Sequence, residues 1–476
     1  MGHKRIQLKK FKWLVYNSMF ISILCLTLLL WIYRPFRTIQ SLTQYYQATS
    51  ETPEQLTGPP PGQIAPQGQG LSLKAVNGTK TVLVAAYQEH RTQNKEVLVI
   101  AVVLRSETVA YHCILHCQNE LHISFGVSNI HEDHFDFAYG TANIMCPVPP
   151  GCETPSHIAV RSAAGVSEDT LTSDEFLEVQ NQKMQRDSFP YNFTVCLSTM
   201  FDFTNVLQLV QSLEMLQLLG VDRVVVYKTS SSPETQRVLD YYTYKGLVEV
   251  IPWTISRFVN VSRGWLPEHG PGELHYLGQI PALSDCVYRY MYRSRYVALH
   301  DMDELILPQS VNSWSELLPL LENKYGADKC YMFENNVFSV NHTLRPPTNQ
   351  TPSPQGCCPG RQNVSGVNIL AHLYHEPIIP ETHYSNFKII VNPRAVFTPT
   401  VHGLLSSMKG CSWVDRNIAR MYHTRGPRQT QLTPDQLVYD GRLLSYGARL
   451  TPNVNAVFTE TFNSQKTLCF ENCFAP

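Results

Sequence analysis

Arg295-Tyr-Val-Ala-Leu-His-Asp-Met-Asp-Glu-Leu-Ile-Leu-Pro308 reads as a hydrophobic strand that runs out into two aspartates one residue apart. Side chains alternate along a strand, so Asp301 and Asp303 point the same way. Two carboxylates converging at the carboxyl end of a strand offer oxygen donors to a divalent cation. Asp-x-Asp by itself is common in surface loops, so the segments around it decide its weight.

Upstream, Thr194-Val-Cys-Leu-Ser-Thr-Met200 has the pattern of a buried strand. Val206, Leu209, Val210, Leu213, Leu216 and Leu219 then recur at helical spacing, and Gly220 stops the run. Asp222-Arg-Val-Val-Val-Tyr227 is a second strand. Ser232 caps, Pro233 takes the first helical position, and a helix continues to Gly246. Leu247-Val-Glu-Val-Ile251 is a third strand, and a helix over about 273–294 leads into the Asp-x-Asp strand. A β-α-β-α-β order demands right-handed crossovers and a parallel sheet, whose ligands sit beyond the carboxyl ends of the strands. No Gly-x-Gly-x-x-Gly follows the first strand, so a dinucleotide is not expected. A cation held by Asp301 and Asp303 can instead bridge the two phosphates of a nucleotide sugar and neutralise the departing diphosphate.

Further out, the N-terminus carries Lys4, Arg5, Lys9, Lys10 and Lys12 without an acid, followed by Trp13 to Tyr33 without a charge. At 1.5 Å per residue that stretch spans roughly 30 Å, a bilayer's hydrocarbon thickness. It reads as a cytosolic tail (1–12) and a single transmembrane helix (13–33), with all that follows on the lumenal side. Residues 34–74, rich in Pro, Gln, Thr and Gly, read as a stem. Residues 75–187 hold short β-like runs such as Glu96-Val-Leu-Val-Ile-Ala-Val-Val-Leu104 and read as a small β-rich domain, a sandwich. Residues 188–430 form the α/β unit, and 431–476 a C-terminal tail containing Cys469 and Cys473. Asn-x-Ser/Thr triplets begin at Asn77, Asn192, Asn260, Asn341, Asn349 and Asn363, and twelve of the thirteen cysteines lie beyond the span. Both suit an oxidising lumen. Cys113 and Cys117, beside His112 and His116, also have the spacing of a zinc site. With 38 basic and 39 acidic residues the chain has a net charge of -1, which argues against nucleic acid as partner.

Gly220-Val-Asp-Arg-Val-Val-Val-Tyr227, Gln279 with Asp285-Cys286, Asp301-Met-Asp-Glu304, Lys388-Ile-Ile-Val-Asn-Pro393, Val401-His402 and His423-x-Arg425 occur in an order and spacing that resembles glycosyltransferase family 92. The likeness runs from about Tyr191 to Arg425 and is strongest to the vertebrate, avian-type members. It implies a GT-A-type nucleotide-sugar-binding domain in a Golgi membrane protein. The implied activity is an inverting β1,4-galactosyl transfer from UDP-galactose, with Mn2+, to galactose-terminated N-glycans of glycoproteins. Where the resemblance leads one to expect His-Tyr-Arg, this chain has His423-Thr424-Arg425.

Chemistry and the likeness together suggest roles. Asp303 is the direct metal ligand, Asp301 contacts the metal or the ribose, and His402 and His423 are further ligand candidates. Lys388 and Arg425 are candidates to clamp the diphosphate, and Asp285 to hold the ribose or base. Inversion needs a general base for the acceptor hydroxyl. Glu376, Glu381 and Asp415 are the candidates, Glu381 foremost. Glu304 faces away from the aspartates and braces the loop. Trp265 and Trp413 offer ring faces to acceptor sugars. Two alternatives remain open at this level: the same fold with another UDP-sugar donor, and an inert lumenal glycan-binding protein.

Overall fold

The computed structural model describes residues 70–118, 120–165, 172–185, 187–347 and 366–462. The expected span at 13–33 lies outside the described residues, as does the stem up to residue 69. Among the described residues no helix is long and apolar enough to cross a membrane.

The first eight strands are β1 (Lys74–Ala75), β2 (Val82–Glu89), β3 (Glu96–Leu104), β4 (Tyr111–Cys117), β5 (Glu120–Ile130), β6 (Tyr139–Pro147), β7 (His157–Ser162) and β8 (Leu177–Gln180). They pair in the order β2-β3-β6-β5-β4-β7-β8. β8 then returns to run parallel to β2, with Ala86 opposite Val179 and Tyr87 opposite Gln180. That pairing closes a seven-stranded barrel where a sandwich was expected. A four-residue strand far from its partner in sequence makes the closure, and local pattern cannot report such a contact.

Val97, Val99, Ala101, Leu115, Ile144 and Val160 fill the interior. The other face of β2 and β3, through Val84, Tyr87, Leu98 and Ile100, joins a second core that holds Val225, Trp253, Leu283 and Val297. Burial on both faces explains the unbroken apolar run of β3. Disulfides Cys113–Cys146 and Cys117–Cys152 tie β4 to β6 and to the loop beyond it. These four cysteines are thereby removed from any zinc site.

From Tyr191 the chain forms β9 (Tyr191–Met200), α1 (Val206–Leu218), β10 (Arg223–Lys228), α2 (Pro233–Tyr244) and β11 (Val248–Pro252). β10 pairs in parallel with both β9 and β11. The helix ends follow from local chemistry. Asn205 and Ser232 accept from the amides of Gln208 and Thr235, and Gly220 and Gly246 turn the chain out of each helix at positive φ. The next helix, α3 (Gln279–Arg289), is shorter than its sequence pattern, because Tyr276, Leu277 and Gly278 before it all take positive φ. β12 (Ser294–His300) returns parallel to β9.

After β12 the architecture departs from a doubly wound sheet. β17 (Lys388–Val391) runs antiparallel to β12 and to β14 (Cys330–Phe333), and β20 (Cys411–Trp413) ends the sheet in the order β11-β10-β9-β12-β17-β14-β20. A second sheet orders β13 (Glu304–Pro308), β21 (Ala419–Arg425), β15 (Asn335–Ser339), β16 (Tyr374–His375) and β22 (Val438–Tyr439). β18 (Val396–Thr400) and β19 (Gly403–Ser407) make a hairpin. α4 (Trp314–Tyr325) follows β13, and α5 (Leu444–Phe462) buries Leu450, Val454 and Phe458 in the core that contains α1.

Strand outweighs helix in the described chain. The expected class, α/β with a GT-A-type domain after a small β-rich domain, is therefore corrected to a mostly β molecule with a closed barrel, and the N-terminal transmembrane helix of that expectation falls outside the described residues. The reason is length. From Glu304 onward the described residues hold ten strands of two to seven residues, too short for a period-2 pattern to stand out.

Candidate functional site

β12 delivers its carboxyl end to an open edge of the sheet. His300 is the last strand residue, and Glu304 begins β13. Between them the chain makes a turn. The Asp301 amide donates to Glu304 Oε2 (2.7 Å), and the Glu304 amide donates to the Asp301 carbonyl (3.2 Å). The Met302 carbonyl is fixed by the Ser212 hydroxyl on α1 (2.7 Å). Asp301 and Asp303 keep 32% and 36% of their side chains exposed, whereas Glu304 keeps 2%. The alternation read from the sequence thus survives the turn: two acids face outward and one braces from below.

What holds each acid differs. Lys388 Nζ, buried at the start of β17, stands 3.0 Å from Asp301 Oδ2 and 3.4 Å from Glu304 Oε2. The Ser198 hydroxyl, at the end of β9, donates to Asp301 Oδ1. Burial works against ionising Asp301, but Lys388 and Ser198 outweigh it and hold its pKa well below the usual range. Burial lifts Glu304 to about 7, against the pull of Lys388. His423 on β21 lies with Nε2 3.2 Å from Asp303 Oδ2 and Nδ1 3.4 Å from Glu304 Oε1. Burial opposes its protonation, yet the carboxylates of Glu304 and Asp303 raise its pKa. The Thr424 amide donates to the Asp303 carbonyl (2.9 Å), so β21 and the turn are locked together.

These groups open on a cavity of about 730 Å³, within the size range of small-molecule sites. Its walls include Ser198, Asn205, Gln208, Trp265, Tyr276, Gln279, Asp301, Asp303, Glu304, His402, His423 and Arg425. His402 has Nδ1 3.1 Å from the Phe387 carbonyl. A carbonyl only accepts, so Nδ1 carries the proton and Nε2 keeps its lone pair. Burial, followed by the Lys388 charge, lowers the His402 pKa to about 4, so the ring is neutral at physiological pH. Tyr276 is held at the wall by a left-handed backbone, an arrangement that costs about 1–3 kcal/mol per residue.

The sequence candidates are sorted by this geometry. Asp301, Asp303, His402, His423 and Arg425 are gathered at the cavity, with Arg425 exposed. Lys388 is 2% exposed and spent on Asp301 and Glu304, so it organises the acids rather than reaching a ligand. Asp285 is fully buried between barrel and sheet. It accepts from Tyr87 and Tyr227 (2.6 Å each) and from Arg289 Nε (3.0 Å), away from the cavity. Glu376 is buried and accepts from the amides of Arg428 (2.6 Å) and Gln429 (3.0 Å). Glu381 is exposed in a short 3-10 turn, and Asp415 accepts from the Asn417 amide (2.9 Å) near Lys324. None of these three lines the cavity, whose acids are Asp301, Asp303 and Glu304. Trp265 is a wall residue; Trp413 packs instead with Tyr384, His383 and Phe387. Ser198, Tyr276 and Gln279 are wall residues that sequence reasoning did not assign to a ligand site. A polar Ser-Thr pair after the apolar Val195-Cys-Leu197 run of β9 was the available signal for Ser198.

The profile of glycosyltransferase family 92 matches residues 191–466, more than half the chain and every element that forms the cavity. The chain belongs to glycosyltransferase family 92. That places it in a family of glycosyltransferases. Two family 92 relatives from Caenorhabditis elegans are similar over shorter stretches. Glycosyltransferase family 92 protein F13G3.3 is 26% identical over 170 residues, covering 33% of this chain and 33% of its own length. Beta-1,4-galactosyltransferase galt-1 is 22% identical over 167 residues, covering 33% of this chain and 36% of its own length. The chain thus spans about a third of each of these curated relatives. Among the described residues no three His, Cys, Asp or Glu side chains form a ready-made cation cage. The donors that do line the cavity are carboxylate oxygens and imidazole nitrogens: His402 turns Nδ1 to the Phe387 carbonyl, and His423 turns Nε2 to Asp303.

Proposed function

We propose that this family 92 protein is an inverting, metal-dependent galactosyltransferase. It moves galactose from UDP-galactose to a terminal galactose of glycoprotein N-glycans in β1,4 linkage, in the Golgi lumen. The observation that carries the reading is the convergence of Asp301, Asp303, His402, His423 and Arg425 on one cavity at the carboxyl ends of β9 and β12. Donor and linkage are supported by the sequence likeness and by the activity that the name of the galt-1 relative states for that protein. Four disulfides support an oxidising compartment.

Asp303 and His423, with His402 across the cavity, have the oxygen and nitrogen donors that suit Mn2+, and phosphate oxygens with water complete such a shell. When bound, the cation would offset the charge that develops on the diphosphate leaving group. The chain's own residues do the rest. Lys388 and Ser198 keep Asp301 ionised and aimed into the cavity. Glu304 clamps the turn from beneath. Arg425, at the rim, meets the diphosphate with a planar fork of donors. Trp265 and Tyr276 present aromatic faces to the C–H face of a pyranose.

Transfer from a panel of UDP-sugars to galactose-terminated and fucose-bearing glycans, with Mn2+ and with chelator, tests the reading. Transfer from UDP-galactose alone is expected, lost with chelator. Asp303→Ala should lower it about 10³-fold or more while leaving the melting temperature unchanged. Another donor in its place would remove the galactosyl assignment. Folded protein with neither turnover nor Mn2+-dependent UDP binding would overturn the catalytic reading.

A further inference from the structure

The loop between β5 and β6, residues 131–138, leaves the barrel and touches the chain that walls the cavity. Phe135 makes the central contact. Its ring stacks on His275, with centroids 4.2 Å apart and planes 19° from parallel, and meets Trp265 edge-on at 5.1 Å. Trp265 packs in turn against His275 at 4.8 Å, Tyr276 at 6.0 Å and His402 at 5.5 Å. Trp265, Tyr276 and His402 line the cavity, whereas Phe135 stands behind them. A continuous series of ring contacts therefore runs from the barrel to the cavity, with Trp265 as its last member.

Polar ties hold the loop on the same wall. The hydroxyl of Thr400, at the end of β18 and just before Val401-His402, donates to Asp133. The Tyr139 amide donates to the Glu273 carbonyl (2.9 Å), close to His275 in the chain. Arg105 Nη1 donates to the Phe137 carbonyl (2.7 Å) and fixes the shape of the loop itself. Phe135 and Asp136 both take positive φ, 50° and 60°, a conformation that such residues keep only where their surroundings impose it. His275 is 3% exposed, and neither of its ring nitrogens has a hydrogen-bond partner among the described residues. Ring packing places it, so loss of the Phe135 ring would leave a void into which His275 and Trp265 can shift.

We propose that Phe135 of the barrel is a positioning residue for the acceptor sugar: it holds Trp265 at the angle at which that ring receives a pyranose of the acceptor glycan. A neutral pyranose has no charge to be held by, so it depends on an apolar C–H face laid against a ring of fixed orientation. The donor differs, because its diphosphate is anchored through charge, with Arg425 at the rim. A loosened Trp265 therefore weakens the acceptor and spares the donor. Phe135 also lies outside residues 191–466, the stretch that matches the family profile, so this contribution comes from the barrel and not from the matched unit. The inference rests on the sugar-transfer reading and deepens it.

Steady-state rates of the full chain with UDP-galactose and a galactose-terminated N-glycan test it, for the wild type, Phe135→Ala and Phe135→Tyr. Phe135→Ala should raise the KM for the glycan about 10-fold. Its kcat and its KM for UDP-galactose should stay within about twofold of wild type, the pattern of lost ground-state binding. Phe135→Tyr keeps the ring and should restore the glycan KM. A merely structural role would instead lower the amount of active enzyme, and so kcat, with both KM values unmoved. If Phe135→Ala does not fold, Asp133→Ala cuts only the tie to Thr400 and should move the same constant in the same direction by a smaller factor. An active wild type whose glycan KM is unchanged in the variant that folds would overturn the proposal and leave the sugar-transfer reading standing. So would a variant whose donor KM rises as much as its glycan KM. A folded wild type without transfer would overturn that reading, and the proposal with it.

Discussion

Two acidic nodes adjoin the same sheet and have opposite surroundings. At Asp285, on α3, both carboxylate oxygens are filled by hydroxyls from the barrel (Tyr87) and the sheet (Tyr227), with Arg289 alongside and no solvent access. At Asp301 and Asp303 the partners, Lys388, Ser198 and His423, approach from beneath, and about a third of each side chain faces the cavity. The first node is closed on all sides and holds two parts of the fold together. The second is held from one side and keeps acceptor capacity for something that is not protein. Burial and charge alone would not separate them; the direction from which the partners come does.

Lys388 tests that distinction most severely, because it is buried like a structural cation yet serves the open node. Lys388→Met removes the ammonium that contacts both Asp301 and Glu304. Leaving the buried Glu304 carboxylate without its cation costs about 3–5 kcal/mol. Denaturant unfolding should show that loss, and transfer activity should fall with it, since Asp301 loses its anchor. Native stability in this variant would mean that Glu304 is neutral and needs no cation.

Asp285→Ala should cost a similar or slightly smaller amount, about 3 kcal/mol or more, because Arg289 is left buried without its counter-ion. Here the comparison sharpens. Burial, followed by the Asp285 charge, pushes the Tyr87 and Tyr227 phenols well above their usual pKa, so both remain hydrogen-bond donors at any working pH. They lose their acceptor when Asp285 goes. The protein that remains folded should keep the wild-type KM for donor. A raised KM at unchanged stability would place Asp285 in the ligand site after all, as the sequence pattern had suggested.

That misplacement of Asp285 shows what sequence could and could not carry. Strands and helices between 191 and 252 have long apolar runs with glycine stops and a Ser-Pro cap, so β9, α1, β10, α2 and β11 were legible from pattern. Asp301 and Asp303 were legible because alternation on a strand is a local rule. The barrel was read as a sandwich because β8, which closes it, is four residues long. The short strands after Glu304 were not legible either, and with them went the overall class. His423 reaches Asp303 only because β21 pairs with β13, a contact across more than a hundred residues of chain. Glu376, Glu381 and Asp415 were chosen for lying downstream of the aspartates. Sequence distance carried no information about direction, and Glu376 proves to hold two backbone amides.

Glu175 offers a third, milder state between the closed and the open node. It forms a bidentate pair with Arg161 across the edge of the barrel, both side chains about one-fifth exposed. The hydrogen bonds from Arg161 are the main reason its pKa falls to about 2. The folded value lies below the unfolded one, so the pair's contribution is complete above about pH 4.5 and is lost as pH drops toward 2. Because the pair is partly solvated, that contribution should be small, about 1 kcal/mol. Glu175→Gln should therefore be less stable than wild type by that amount at pH 6, and the difference should shrink as pH falls through 4 and vanish near 2. A deficit that is the same at pH 6 and pH 2.5 would mean that the glutamate contributes through packing and shape rather than through its charge.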